Sequence, residues 1–173
     1  MKIIRLTSSP ADLPQRVAVA LHADSSLLLP GHPFFMPEEE ADWMAVPHLA
    51  VRICRLGKSI SPRFADRYHD AMTVALHITT TDAGADAALD SLRDLADASV
   101  VLGKWGEQMP DSVEIGGKTY DTTAAKSIVN PLITALSVRT TFKTGDILLL
   151  PLGEPLPLVS PLVAPDFLNL KIV

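Results

Sequence analysis

The residues best equipped for chemistry in this chain are histidines set in alternating apolar runs. His48 opens the run HLAVRIC, and His77 sits late in AMTVALHIT. On two facing strands these imidazoles would meet, and imidazole is a good ligand for zinc and other borderline divalent metals. A catalytic zinc normally takes three protein ligands; His22, at the end of RVAVALH, supplies the third if its loop folds inward. The plainer expectation, and the favoured one, is that His48 and His77 are buried rings that hydrogen-bond to their neighbours. Arg52 shares a face with His48, so it either offers a guanidinium to an anion in the same pocket or pairs with a surface acid. Asp94 and Asp97 lie near the end of an acid-rich helical stretch, where a solvated face or a C-terminal turn is expected before general-acid work. Cys54 has no nucleophile motif around it and reads as a packed thiol. Ser8 and Ser9 lack both the nucleophile-elbow motif and a positioned histidine.

The elements that must position these residues follow from periodicity. In residues 48–54, Leu49, Val51 and Ile53 share one face, and His48, Ala50, Arg52 and Cys54 the other. In residues 71–79, Met72, Val74, Leu76 and Ile78 oppose Thr73, Ala75, His77 and Thr79. MKIIRL and RVAVALH are further strands separated by a Ser/Pro/Asp turn, and SSLLLPGHPFFMPEEE is a loop bending at Pro30 and Gly31. Ser61-Pro62 predicts a short helix ending at Tyr68. Asp82 is expected to cap a helix that buries Leu89, Leu92 and Leu95/Ala96 and turns Asp86, Asp90 and Asp94 to solvent. SVEIGGKTYD is a hairpin with Gly116-Gly117 at its turn. Asn130-Pro131 reads as the cap and first turn of a short helix through Val138, and FKTGDILLLP as a turn into a buried strand. The five prolines from 151 to 165 predict mostly extended loop, and DFLNLKIV a closing strand. Together these give one domain over residues 1–173, a β-rich α+β fold with a mixed or barrel-like sheet and a few short helices. Trp43 and Trp105 are expected in packing or in a dimer contact.

Composition removes several function classes. The 173 residues are 47% hydrophobic and 20% charged, enough for one substantial core. A net charge of −5 without a Lys/Arg cluster lacks the footprint of a nucleic-acid binder. No run approaches the ~18 apolar residues of a membrane span, and the N-terminal apolar run, broken by Arg5 and Pro10, is too short for a secretory signal. A single cysteine suits a reducing compartment, so the expected address is the cytoplasm.

Three segments in order, DSSLLLPGHPFFMP, HLAVRICRLGKSISPRFADRYHDAMTVALHITTTD and TFKTGDILLLP, resemble the fumarylacetoacetate hydrolase family in its small bacterial single-domain form. RICRLGKSISPRFADRYHD carries the most specific part. The resemblance implies a rolled mixed β-sheet, a homodimer, and a divalent metal that polarises an enolisable 1,3-diketo or 2-oxo acid for C–C hydrolysis, decarboxylation or isomerisation. It also implies ligand positions. The family's Glu-x-Glu-Leu falls on Val46 and His48, and its metal-binding Asp falls on His77. From its Thr-Ala-Arg-Asp, Asp82 remains while the Arg is Thr81. The catalytic His and Glu motif falls on LTSSPADLPQ, the Lys of Phe-Leu-Lys-Pro on His22, the catalytic Lys on Asp94 with Asp97 matching the following Asp, and the Gly-Thr-Pro loop on LLPLGEP.

The expectation is therefore a family-like chain that kept the scaffold (Arg55, Leu56, Gly57 and Lys58, then Thr144, Gly145 and Asp146) and lost its metal site and catalysis. No cofactor is expected. Its role would rest on an interface, either a homodimer or a heterodimer with a catalytic relative, supplied by apolar surface from residues 148–163. One alternative is an enzyme with a divalent metal on His48, His77 and His22. Another is a carboxylate-binding module whose pocket holds His22, Arg52, Asp82 and Asp94.

Overall fold

The computed structural model describes residues 1–8, 17–37, 42–82 and 85–173. Ser9, the rest of LTSSPADLPQ beyond Ser8, and Glu38, Glu39 and Glu40 lie outside the described residues. In chain order the strands are β1 (Ile3–Leu6), β2 (Val19–His22), β3 (Leu27–Leu28), β4 (Trp43–Ile53), β5 (His69–Thr80), β6 (Val100–Leu102), β7 (Ser112–Ile115), β8 (Lys118–Asp121), β9 (Ile147–Pro151), β10 (Leu156–Pro157), β11 (Leu162–Ala164) and β12 (Leu168–Leu170). The helices are α1 (Ala87–Arg93) and α2 (Thr123–Ser137), with 3-10 turns at Asp24–Ser26 and Pro62–Tyr68.

Eight strands form one curled mixed sheet in the order β2-β1-β9-β4-β5-β6-β3, and β10 also pairs with β4. The β1/β9 and β3/β6 pairs are parallel and the others antiparallel. Alternation sorts the residues as expected. Leu49, Val51, Ile53, Val74, Leu76 and Ile78 join the main core, which packs against Ala125, Val129, Leu132, Ile133 and Leu136 of α2. The opposite face buries Ile3, Ala50, Ala75, Val100, Leu102, Ile147 and Leu149 in a second cluster, so both sides of the central strands are apolar. His48, Arg52, His77 and Arg5 lie on this second face by the same two-residue period.

Other expectations hold as drawn. The β7/β8 hairpin turns on Gly116 and Gly117, both at positive φ. Asp146 is fully buried at the start of β9, where its carboxylate accepts from the amides of Lys2 and Lys143 at 2.8 Å and pairs with the Lys2 ammonium at 2.7 Å. No described helix is long and apolar enough to cross a membrane.

Three local expectations are corrected and one is refined. α2 runs through Pro131 instead of starting beside it, because its buried stripe at helical spacing outweighs one lost backbone hydrogen bond. Residues 151–165 are mostly loop, as expected, with three short strand pieces: Pro151 ends β9, β10 adds to β4, β11 pairs with β12, and Leu156, Leu162 and Ala164 enter the core. The apolar surface expected for an interface along residues 148–163 is thus largely covered by the chain itself. α1 is capped by Asp86, which accepts from Ala88 N at 2.8 Å; Asp82 instead pairs with Arg93 at 2.9 Å. Finally, α1 and the turn after it leave their leucines outside and bury one of their acids, Asp94, while Asp86 stays exposed. Leu89, Leu92 and Leu95 are 45%, 66% and 57% exposed, while Asp94 is 8% exposed. The physical reason lies on β1, where an inward-facing arginine requires a carboxylate.

Candidate functional site

Arg5 is the centre of the site. It alternates with Ile3 on β1, so its side chain leaves the sheet on the buried second face. His22 closes β2 opposite Ile3, His77 lies on β5 opposite Val46, and Asp94 sits at the C-terminus of α1. The Arg5 guanidinium donates from Nε to His22 Nε2 at 3.0 Å and from Nη2 to Asp94 Oδ1 at 2.7 Å. Asp94 Oδ1 is also 3.7 Å from His22 Nε2 and 3.5 Å from His77 Nε2, contacts that are too long or too poorly aligned to be hydrogen bonds. The ligand atoms of His22, His77 and Asp94 all lie within 4.8 Å of one another.

Protonation follows from the partners. His22 Nε2 accepts a hydrogen bond, so its proton is on Nδ1, which has no partner among the described residues. His48 Nδ1 donates to the Val46 carbonyl at 2.8 Å, since a carbonyl only accepts. Burial pushes all three imidazoles toward the neutral form. It lowers His22 although Asp94 opposes the shift, takes His48 down to about 3, and holds His77 well below the usual histidine range with help from the Arg5 charge. With neutral rings, the Arg5 and Asp94 charges cancel. A cleft of about 550 Å³ opens over the cluster, bordered by Arg5, Thr7, Val46, His77, Thr79 and Asp94.

Of the sequence-predicted residues, His22, His77 and Asp94 come together. His48 stands beside them, its ring 6.2 Å from that of His77, but one of its nitrogens is committed to Val46. The alternative ligand set is His22, His48 and His77, whereas the fold gathers His22, His77 and Asp94; Asp94 sits at the C-terminal turn, one of its two readings, and is buried rather than solvated. Arg52 takes the second of its two readings: it forks onto Asp70 at 2.8 and 3.0 Å on the surface and lies over Trp105, outside the pocket. Asp82 is also outside, bound to Thr80 and Arg93. Asp97 borders a separate apolar cavity of about 410 Å³ together with Trp43, Phe34 and Phe35. Cys54 is half-buried, its thiol 3.5 Å from the Arg67 carbonyl. Sequence reasoning missed Arg5 as a site residue. The signal was present, because a charge two residues from Ile3 in IIRL must share its face.

The donor set does not fit a hard metal ion at the positions the resemblance implies. Val46 has no ligand atom, His48 is directed to a carbonyl, and His77 is neutral imidazole, whereas magnesium-like ions demand oxygen ligands. Asp94, the carboxylate within reach of the two imidazoles, is already neutralised by Arg5, and Asp90 borders the same cleft.

Comparison with solved structures bears out the fold. A fumarylacetoacetate hydrolase family protein from Yersinia pestis superposes with a TM-score of 0.82 at 20% identity, over 99% of this chain and 92% of that one. Fumarylpyruvate hydrolase from Pseudomonas aeruginosa, in complex with Mn²⁺ and pyruvate, gives a TM-score of 0.80 at 13% identity, over 100% and 89%. For 5-carboxymethyl-2-hydroxymuconate delta-isomerase from Mycobacterium smegmatis the TM-score is 0.80 at 16% identity, over 99% and 78%. No protein-family model matches the sequence, and no curated protein matches it. The chain has the fold of the fumarylacetoacetate hydrolase family.

Proposed function

We propose that this protein keeps the fumarylacetoacetate hydrolase fold without its metal-assisted catalysis, as a pseudoenzyme that acts in the cytoplasm as a scaffold or interaction protein. The observation that carries this reading is the Arg5 guanidinium bridging His22 and Asp94. It supplies, from within the chain, the positive charge that a metal would otherwise bring, and it occupies the only carboxylate of the described cluster. A family-type mechanism needs an electrophile on the enolate oxygens and a base to move protons. Here the guanidinium is spent on internal partners, His22 accepts from it, His48 is held by backbone, and the buried His77 at the cleft is kept neutral beside the Arg5 charge.

The test is direct. Calorimetry with Mg²⁺ or Mn²⁺ at neutral pH should give no binding heat, and oxaloacetate and acylpyruvates should turn over no faster with protein than without. A Mn²⁺-dependent rate that disappears in His77→Ala would overturn the reading.

Pairing with itself or with a catalytic relative is the positive half of this proposal. The exposed leucines at 89, 92 and 95, together with exposed Leu21 and Leu29, provide apolar surface in place of residues 148–163. A two-fold pair is the commonest solution for such surface. Light scattering should return twice the chain mass, and Leu92→Asp should halve it. A wild-type mass of one chain at tens of micromolar would remove self-pairing.

A further inference from the structure

The cluster under Arg5 is built from the donors of a different kind of metal. His22 and His77 are each 4% exposed, Asp94 8%, and the three come from separate elements, β2, β5 and the end of α1. Zinc-type coordination with bonds of about 2.0–2.2 Å spaces adjacent donors by roughly 3.3–3.5 Å. The two imidazole nitrogens stand 3.7 and 3.5 Å from Asp94 Oδ1. His77 Nε2 is buried without a hydrogen-bond partner, and it faces the same oxygen. His22 already carries its proton on Nδ1, so the lone pair on Nε2 that now accepts from Arg5 is the one a metal would use. Two histidines and one carboxylate, beside a cleft that leaves room for water, form a three-ligand open site of the class that holds borderline divalent ions.

We propose that the Arg5 guanidinium and a borderline divalent cation such as Zn²⁺ or Co²⁺ are mutually exclusive occupants of the His22, His77 and Asp94 site, and that Arg5 is the residue that keeps it metal-free. This inference rests on the metal-free reading above and extends it: the site is closed by an internal cation, while its ligands remain in place. Exclusion has two parts. Arg5 takes the lone pair of His22 and one oxygen of Asp94, and its charge repels an incoming cation at close range. Removing it leaves a buried carboxylate without compensation, which a cation then relieves.

The experiment compares the wild-type chain with Arg5→Ala, Arg5→Gln and the double variant Arg5→Ala/His77→Ala by Co²⁺ visible absorption and Zn²⁺ calorimetry. Arg5→Ala and Arg5→Gln should each take up a single ion, at least about 100-fold more tightly than wild type, as expected when a buried charge regains a partner. The double variant should lose that gain. Arg5→Gln keeps a hydrogen-bonding amide in the cluster and guards against a variant that fails to fold. If both single variants unfold, Zn²⁺-driven recovery of the wild-type circular dichroism supports the site, and no recovery refutes it. Folded single variants that take no Co²⁺ overturn the latent site and leave the metal-free reading standing. Wild-type chain that binds Co²⁺ as tightly as Arg5→Ala overturns the exclusion and the metal-free reading together.

Discussion

Arg5 and Arg52 leave the same face of the same sheet, and each reaches an aspartate at 2.7 to 2.8 Å. Their surroundings differ. The Arg5 and Asp94 side chains are 18% and 12% exposed and sit among three neutral histidines, whereas Arg52 and Asp70 are 40% and 45% exposed. Water competes for every contact of the second pair and for few of the first, so equal geometry carries unequal weight. The buried pair also dictates structure around it. Asp94 is drawn under the sheet, and the leucines of α1 are left outside.

The largest break in this comparison comes from removing one member of the buried pair. Asp94→Ala should lower stability in urea unfolding by roughly 3 kcal/mol, since it strands Arg5. Replacing both together, Arg5→Leu/Asp94→Leu, should recover much of that loss, because two apolar side chains need no compensation. A double variant as unstable as Asp94→Ala would show that the site is not organised by the pair.

Next in size is pH. The folded state holds His22, His48 and His77 at lowered pKa, His48 at about 3, so the unfolded chain binds more protons as pH falls. Their contribution is complete above the unfolded value near 6.5 and is lost as pH drops toward the folded value; for His48 the loss is about 1.4 kcal/mol per pH unit. His48→Asn, which keeps a donor for the Val46 carbonyl, should reduce the slope of stability against pH between 6 and 5 by about one proton. An unchanged slope would mean that His48 is not held neutral.

The smallest effect is expected at the exposed pair. Arg52→Ala should cost about 1 kcal/mol or less, and added salt should shrink the difference further. A loss as large as that of Asp94→Ala would erase the contrast between the two pairs.

Much of the sheet is legible in the sequence, because a period of two in β4 and β5 assigns each side chain to a face regardless of what covers it. That sufficed to place His48, Arg52 and His77 on one surface and to separate them from Leu49, Val51, Val74 and Leu76. The same reasoning failed on α1. Its leucine spacing is that of an amphipathic helix, yet a helix of two turns gains little from burial compared with what a buried guanidinium gains from a carboxylate. Pro131 misled in the opposite direction, since a local breaker was outvoted by a long apolar stripe.

The sequence by itself determined which residue types stand on each strand face, that no carboxylate occupies positions 46, 48 and 77, and that the chain can build one β-rich core. Only the tertiary structure decided which groups meet. His22, His77 and Asp94 are brought together from β2, β5 and the end of α1, and Arg5 enters among them because β1 lies beside β2 and β9 in the curled sheet. Strand order and the direction of a helix face are set by the balance of burial and charge compensation over the whole chain, and no local pattern of residues encodes that balance.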